Sequence, residues 1–107
     1  MSGETQDARR ATSLEEVRAE IDRIDGELIG LLAERAAWVR RAGELKRTEA
    51  EARAPARVEV VIARVRERAE VAGLSPEVAE RTWRAMIAAF IDQEIAEIRG
   101  RQAPGER

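Results

Sequence analysis

Residues 14–48, LEEVRAEIDRIDGELIGLLAERAAWVRRAGELKRT, carry one continuous helical pattern. Apolar residues recur at the three- and four-residue spacing of a single helix face. They are Leu14, Val17, Ile21, Ile24, Leu28, Leu31, Leu32, Val39, Ala42 and Leu45. Ser13 offers an N-cap, and no proline follows until Pro55. The pattern predicts one helix from about Leu14 to about Thr48, roughly 50 Å long at about 1.5 Å per residue.

A helix of this length does not fit inside a compact protomer. A folded chain of 107 residues has a radius of gyration of about 13 Å. The far half of the helix would therefore protrude with its apolar face uncovered. A second copy of the chain is the simplest source of a cover, so we expect a homodimer.

The rest of the chain predicts two further helices. Residues 49–56 read as a loop, because Pro55 disfavours helix at the residue before it. A second helix should run from Pro55 to Ala72 and stop at Gly73. A third should start at Pro76, after Ser75 as N-cap, and end near residue 99. Its expected buried side chains are Val78, Trp83, Met86, Ile87, Phe90, Ile91, Ile95 and Ile98.

These elements make an all-α, three-helix protomer with one long N-terminal helix. Residues 13–99 form one domain, and residues 1–12 and 100–107 read as disordered tails because they lack apolar periodicity. With three aromatic residues in the chain, its interior must be filled by aliphatic side chains. That composition favours helices packed on helices.

Composition excludes several classes of function. Nineteen basic residues against twenty-one acidic ones, a net charge of −2, leave no large positive field for nucleic acid or an anionic membrane. No apolar run is long enough to span a bilayer, and the polar N-terminus does not resemble a signal peptide, so we expect a cytoplasmic protein. The absence of Cys and His argues against disulfides, thiolate nucleophiles and most metal sites. Neither a metal nor another cofactor is implied.

Three charged residues occupy positions where a helix face calls for apolar ones. Arg35 continues the stripe of the first helix, and Lys46 follows about three turns later on nearly the same face. Lys46 is also the single lysine of the chain. Glu94 lies between Phe90 and Ile98 on the apolar face of the third helix. Charged residues are seldom buried unless paired, so either Glu94 neutralises a cation in a structural ion pair or the three line a polar cavity.

The arrangement resembles the AroQ-class chorismate mutases from about residue 14 to residue 98. The resemblance rests on Arg18 followed by IDRIDGELIGLLAERAAWVRRAGELK, on the loop RAPARV, and on the Gly-Leu break before the last helix. It also rests on the intervals between Arg18, Arg35, Lys46, Arg57 and Glu94. It implies an intertwined homodimer whose two shared active sites bind a small dicarboxylate, chorismate or a close relative.

The resemblance also implies roles for individual residues. Arg18 would cross the interface to bind one substrate carboxylate, and Arg35 would bind the other. Lys46 would reach the ether oxygen and a carboxylate, with Arg57 as a further cation. The implied catalytic set is Lys46, Glu94 and Arg35. The implied substrate-binding set is Arg18, Arg35, Lys46, Ala54, Arg57, Val58, Phe90 and Glu94.

Three positions depart from the common mutase pattern. The acidic residues that hold the ring hydroxyl of chorismate are replaced by Ala54 and Val58, and the glutamine that faces the ether oxygen is replaced by Glu94. Glu94 can donate to that oxygen only when it carries a proton. The loop is more similar to isochorismate pyruvate lyases and 4-amino-4-deoxychorismate mutases. The expected order is chorismate mutase, then lyase, then amino-substrate mutase.

A non-catalytic helical dimer is the rival from another class. It accounts for the apolar periodicity and for the two missing hydroxyl ligands. It does not account for inward-facing Arg35, Lys46 and Glu94, because buried ion pairs are often no more stabilising than apolar replacements.

Overall fold

The structure, a computed structural model, describes residues 6–102 and the side chains from residue 8 onward. Within this range the chain forms five helices and no strand, so the predicted all-α class is confirmed there. The helices are α1 (Gln6–Arg10), α2 (Leu14–Leu45), α3 (Glu49–Arg53), α4 (Pro55–Ala72) and α5 (Pro76–Gln102). The three long helices α2, α4 and α5 are the three that the sequence predicts.

The long helix α2 starts where expected and ends earlier than expected. The Ser13 hydroxyl accepts a hydrogen bond from the Glu16 amide at 3.1 Å, which caps the first turn. The helix then runs for 32 residues. It ends at Leu45 rather than Thr48 because Lys46 is extended, with φ −92° and ψ 144°. Thr48 instead begins the next helix.

The prediction of a loop over residues 49–56 was wrong, because α3 occupies most of that stretch. The Thr48 hydroxyl accepts from the Glu51 amide, and the Glu51 carboxylate accepts from the Thr48 amide, both at 3.1 Å. This capping box satisfies two amides that a short helix would otherwise leave unpaired. Hydrogen bonds from the backbone amides of Arg47 and Thr48 lower the pKa of the Glu51 carboxyl. The sequence carries this capping box as Thr48-x-x-Glu51. Pro55, which favours a loop before it, is the competing signal.

Helices α4 and α5 form an antiparallel hairpin whose turn follows the prediction. Gly73 adopts φ 81°, a left-handed conformation that favours glycine, and the Leu74 amide donates to the Ala69 carbonyl at 2.8 Å. The Ser75 hydroxyl then caps α5 by accepting from the Val78 amide at 3.3 Å. The predicted stop at Gly73 and start at Pro76 are confirmed.

A charge network on the surface aligns the two helices of the hairpin. Arg84 of α5 donates two hydrogen bonds to Glu59 of α4, at 2.9 and 3.0 Å, and a third to Glu80 at 2.7 Å. Arg66 of α4 donates to Glu80 at 2.7 Å. These guanidinium donors hold the pKa of the Glu59 and Glu80 carboxyls below their ordinary range, Arg84 having the largest influence on each.

The interior is small and lies toward α5. The buried apolar residues of the described range are Ala52, Ile62, Ala69, Ala79, Ile95 and Ile98. Helix α3 packs against α5 through Ala52, which contacts Ile95 and Ile98. The predicted burial of Val78 was wrong, since it is 53% exposed. It lies in the first turn of α5, where the neighbouring Ala79 takes the inward position.

The apolar stripe of α2 lacks a cover within the protomer. Leu14, Ile21, Leu28 and Leu31 are each at least half exposed. The chain measures 62 Å along its longest axis, and its radius of gyration is 18.2 Å, against about 13 Å for a compact chain of this length. The protruding helix that the sequence predicts is therefore present.

The two predicted tails lie partly in the described range. Residues 6–10 form the short helix α1, and α5 continues to Gln102, so both predicted tails contain helical residues. Residues 1–5 and 103–107 fall outside the described residues. Across residues 6–102, no helix has both the length and the apolar character needed to cross a membrane. The same range contains no group of acidic residues placed to hold a metal ion.

Candidate active site

The candidate site is an open cavity of about 290 Å³ between the C-terminal half of α2, α3, the start of α4 and the middle of α5. Its charged lining residues are Arg35, Lys46, Arg53, Arg57 and Glu94. Its other lining residues are mostly aliphatic or aromatic, namely Trp38, Val39, Ala42, Ala52, Ala54, Val58, Val61, Ile87, Phe90 and Ile91. An apolar cavity with a few convergent charges is the usual form of a small-molecule site.

Lys46 and Glu94 form an ion pair at the bottom of this cavity. The Lys46 Nζ donates to Glu94 Oε1 at 2.9 Å, across 48 positions of the chain. Glu94 is 7% exposed, whereas the Lys46 side chain is 27% exposed. The two alternatives that the sequence left open are thus both realised, because the pair is partly buried and also lines the cavity.

The second carboxyl oxygen of Glu94, Oε2, takes no part in the ion pair with Lys46. Oε1 accepts from Lys46, and no hydrogen bond to Oε2 is present within residues 8–102. Every fully buried polar side-chain atom of the described residues has a hydrogen-bond partner. Oε2 is therefore not fully buried and can be reached from the solvent side. A proton on Glu94 would sit on Oε2, since Oε1 is already an acceptor.

Gly43 allows Glu94 to occupy this position. A Cβ at residue 43 would lie 3.3 Å from Cγ and 3.6 Å from Cδ of Glu94. A side chain at residue 43 would therefore force Glu94 to shift by a few tenths of an ångström. This contact gives the buried glycine in the last turn of α2 a packing role, despite the lower helix propensity of glycine.

The cavity carries excess positive charge. Arg35, Arg53 and Arg57 form no salt bridge within 4 Å among residues 8–102, while many arginines elsewhere are ion-paired. Arg53 has a longer-range electrostatic interaction with Glu49. The Arg35 guanidinium instead lies 5.8 Å from the centroid of the Phe90 ring, within reach of a cation–π contact. Four cations face one carboxylate, so the cavity is electrostatically matched to a small dianion.

Ala54 and Val58 occupy the wall where the resemblance implies acidic ligands. Ala54 adopts a left-handed conformation, φ 33° and ψ 61°, as the residue shared by the end of α3 and the start of α4. Its carbonyl accepts the Val58 amide at 3.1 Å, which starts α4. This wall offers a substrate apolar contact and no side-chain acceptor.

The structure brings together most of the predicted site residues. Arg35, Lys46, Ala54, Arg57, Val58, Phe90 and Glu94 all line the cavity. Arg18 does not, since 17 residues of helix, about 25 Å, separate it from Arg35. The role of Arg18 at the site of another copy stays a prediction.

Sequence reasoning missed Arg53 and Trp38. Arg53 enters the cavity because α3 exists, and the unrecognised capping box was the signal that could have placed it. Trp38 lines the cavity although it is 73% exposed. Its indole offers a fluorescence probe for ligand binding.

The class that the structure defines is an all-helical protein with an open cavity lined by apolar side chains, four cations and one carboxylate. The family model for chorismate mutase type II matches residues 17–95, which is most of the chain. The chain therefore belongs to the chorismate mutase type II family. No curated protein matches the chain closely enough to count as a relative.

Proposed function

We propose that this protein is a chorismate mutase, which converts chorismate to prephenate by a Claisen rearrangement. The observation that carries the proposal is the cavity in which Arg35, Lys46, Arg53 and Arg57 face a single carboxylate, within a chain of the chorismate mutase type II family. The rearrangement needs no nucleophile, metal or cofactor. It needs the reactive conformer to be held and the developing charge to be stabilised.

The cations have separate roles in this proposal. Arg35 binds one substrate carboxylate, and Arg57 adds positive charge from the start of α4. The Lys46 ammonium donates to the ether oxygen, which gains negative charge as its C–O bond breaks. Because the donor is positioned before the reaction, its stabilising effect is greatest in the transition state.

The second substrate carboxylate is bound by the partner subunit's Arg18 in an intertwined homodimer. The uncovered stripe of Leu14, Ile21, Leu28 and Leu31 supports this assembly, since exposed apolar patches of this extent mark interaction surfaces. The length of α2 supports it as well, because Arg18 lies far from the cavity of its own protomer. Each dimer then holds two sites, and both are incomplete in an isolated protomer.

Glu94 acts as a second donor to the ether oxygen when it is protonated. Its Oε1 already accepts from Lys46, so a proton on Oε2 would be free to point at the substrate. An ionised Glu94 would repel the developing charge instead. In this proposal a hydrogen-bond donor at residue 94 therefore favours turnover, and a charged carboxylate opposes it.

Replacing Glu94 by Gln tests this role directly. Glutamine keeps an oxygen that can accept from Lys46 and adds an amide donor, whereas a carboxylate offers no donor, so we expect Glu94→Gln to raise kcat. The measurement is kcat with chorismate for both forms. An unchanged or lower kcat would remove the proposed role of a donor at residue 94 and leave the roles of the cations standing.

The close approach of Gly43 to Glu94 gives a second test of the site. We expect Gly43→Ala to lower kcat about tenfold, because the new Cβ must push Glu94 by a few tenths of an ångström and small misplacements are costly in catalysis. The matched control is Gly26→Ala on the same helix, where a Cβ meets no atom within 4 Å. Both variants gain helix propensity. Equal kcat values for the two would therefore show that the contact of residue 43 with Glu94 does not affect catalysis.

A lyase reaction on isochorismate is the second candidate function. The apolar wall of Ala54 and Val58 favours it, because chorismate mutases of the common pattern use acidic residues there to hold the ring hydroxyl. The same cations would then assist a pericyclic elimination that yields salicylate and pyruvate.

The deciding experiment offers the purified protein chorismate, isochorismate and 4-amino-4-deoxychorismate separately and identifies the products by chromatography and mass. Prephenate supports the main proposal. Salicylate with pyruvate supports the lyase, and 4-amino-4-deoxyprephenate an amino-substrate mutase. No product from any of the three would favour a non-catalytic helical dimer.

A further inference from the structure

The last turns of α5 form hydrogen bonds with the connection between α2 and α3 and with the first residue of α3. Arg99 donates two hydrogen bonds to Glu49, from Nε to Oε2 at 2.8 Å and from Nη2 to Oε1 at 2.9 Å. Arg101 Nη2 donates to the Lys46 carbonyl at 3.2 Å, and Gln102 Nε2 donates to the Arg47 carbonyl at 3.2 Å. We call Arg99, Arg101 and Gln102 the C-terminal clasp. Its contacts join parts of the chain at least 50 positions apart.

The clasp and the candidate site share Lys46. Glu94 of α5 holds the Lys46 ammonium at 2.9 Å, and Arg101 of the same helix holds the Lys46 carbonyl at 3.2 Å. Residues seven apart lie on one face of a helix, two turns from each other. One face of α5 therefore fixes both ends of Lys46, its main chain and its charged tip.

Apart from the clasp and the ion pair of Lys46 with Glu94, this segment is restrained mainly by hydrogen bonds to near neighbours in the chain. The Lys46 amide donates to the Gly43 carbonyl at 3.1 Å, and the Arg47 amide donates to Glu51 Oε1 at 2.7 Å, so neither bond ties the segment to α5.

Lys46 and Arg47 lie between α2 and α3 and belong to neither helix, and the Lys46 stem is long and flexible. Helix α3 has five residues, too few to be stable alone, and its buried contact is Ala52. The position of Arg53 in the cavity depends on the same segment.

The clasp contacts are exposed, which limits what they can do for the whole fold. Arg99 is 64% exposed at its side chain and Glu49 is 37% exposed. Exposed ion pairs usually contribute little to global stability, and the bidentate geometry of Arg99 and Glu49 makes this pair stronger than most without burying it. Local order of the segment from Lys46 to Arg53 is the property that they can control.

We propose that Arg99, Arg101 and Gln102 are positioning residues, which hold Lys46 and α3 in place against α5 so that the Lys46 ammonium and Arg53 face the bound substrate. The catalytic half of this inference rests on the proposed function. The ordering half rests on the clasp contacts alone. The residues act through Lys46 and do not themselves line the cavity.

The test compares the wild type with the double variant Arg99→Ala/Arg101→Ala. We expect amide hydrogen exchange in residues 47–53 to become at least tenfold faster, and kcat with the productive substrate to fall about tenfold, since loose positioning of a catalytic group lowers the rate steeply. The thermal midpoint should shift by less than about 3 °C because the lost contacts are exposed. The control is Arg81→Ala, which removes an exposed ion pair to Glu77 elsewhere on α5 and should change none of the three values.

A charge swap separates positioning from a general effect of lost arginines. Glu49→Arg combined with Arg99→Glu restores a pair of opposite charges, so it should recover exchange protection and part of kcat relative to Glu49→Arg alone. Unchanged exchange in the double alanine variant would overturn the inference, whatever the activity. Faster exchange with unchanged kcat would overturn its catalytic half. If the wild type itself has no activity, the proposed function fails, and the exchange result still decides the ordering half.

Discussion

Replacing Lys46 by Ala is expected to lower kcat by about 10²- to 10³-fold while the protein remains folded. The Lys46 ammonium is the donor placed at the bottom of the cavity, and loss of one preorganised donor to a developing oxyanion costs about 3 to 4 kcal/mol in comparable sites. The fold should persist because the Lys46 side chain is partly exposed, so water can replace its ammonium as a donor to Glu94. Steady-state kinetics and thermal unfolding measure the two effects.

Two further variants define what Lys46 contributes. Lys46→Arg keeps the positive charge but replaces a compact ammonium by a planar fork, so most of the loss in kcat should remain. Arg41→Ala removes an exposed cation that pairs with Glu44 on the same helix, and its activity should equal that of the wild type. A Lys46→Ala protein with full activity would contradict the proposed site, and a purely structural bundle would predict that outcome.

Combining two impaired variants in one dimer is expected to restore activity. Arg18→Ala and Arg35→Ala should each lower kcat/KM about 10- to 100-fold, because each removes a charge-assisted hydrogen bond to a substrate carboxylate. In a heterodimer of the two variants, one site has an intact Arg35 and receives the partner subunit's Arg18. The other site lacks both arginines. The heterodimer should therefore show about half the activity of the wild-type dimer, since one of two symmetry-related sites is complete.

The heterodimer is made by producing the two chains together with different affinity tags and purifying on both. A control heterodimer of Arg35→Ala with Arg35→Ala, carrying the same two tags, should stay inactive. Failure of the mixed heterodimer to recover activity would mean that Arg18 does not complete the site of another copy. The exposed α2 stripe would then need a different explanation.

Local signals predicted most of the fold. Ser13 as N-cap, Gly73 as a left-handed stop and Ser75-Pro76 as a start each act within a few residues, and the structure places helix boundaries there. Two of the departures have opposite causes. At residues 49–53 the Thr48 capping box, a local signal, starts a helix that the following Pro55 does not prevent. At Val78 the helix pattern was read correctly, but Ala79 takes the inward position at that end of α5.

Most members of the candidate site were predictable, but their geometry was not. Helical periodicity places Arg35 and Glu94 on apolar faces, because each helix carries that pattern within itself. Lys46 lies just past the end of α2 in an extended conformation, so the periodicity does not fix its direction. The 2.9 Å contact between Lys46 and Glu94 depends on how two helices meet across 48 positions, and no local pattern encodes that distance. The same holds for Arg53, whose place depends on α3 packing against Ile95 and Ile98. The sequence predicts which side chains share one face of a helix, whereas tertiary packing sets the contacts between helices.

The small interior of the protomer affects the protein concentration at which the chain is folded and active. With six apolar residues buried in the described range, one chain has little hydrophobic burial to offset the entropy of folding. If the second copy supplies the missing core, folding and association become a single equilibrium, and the fraction of folded chain rises with its total concentration. Dilution would then unfold the protein as well as separate it. The cell would hold either active dimers or unfolded chains, with few idle monomers between them.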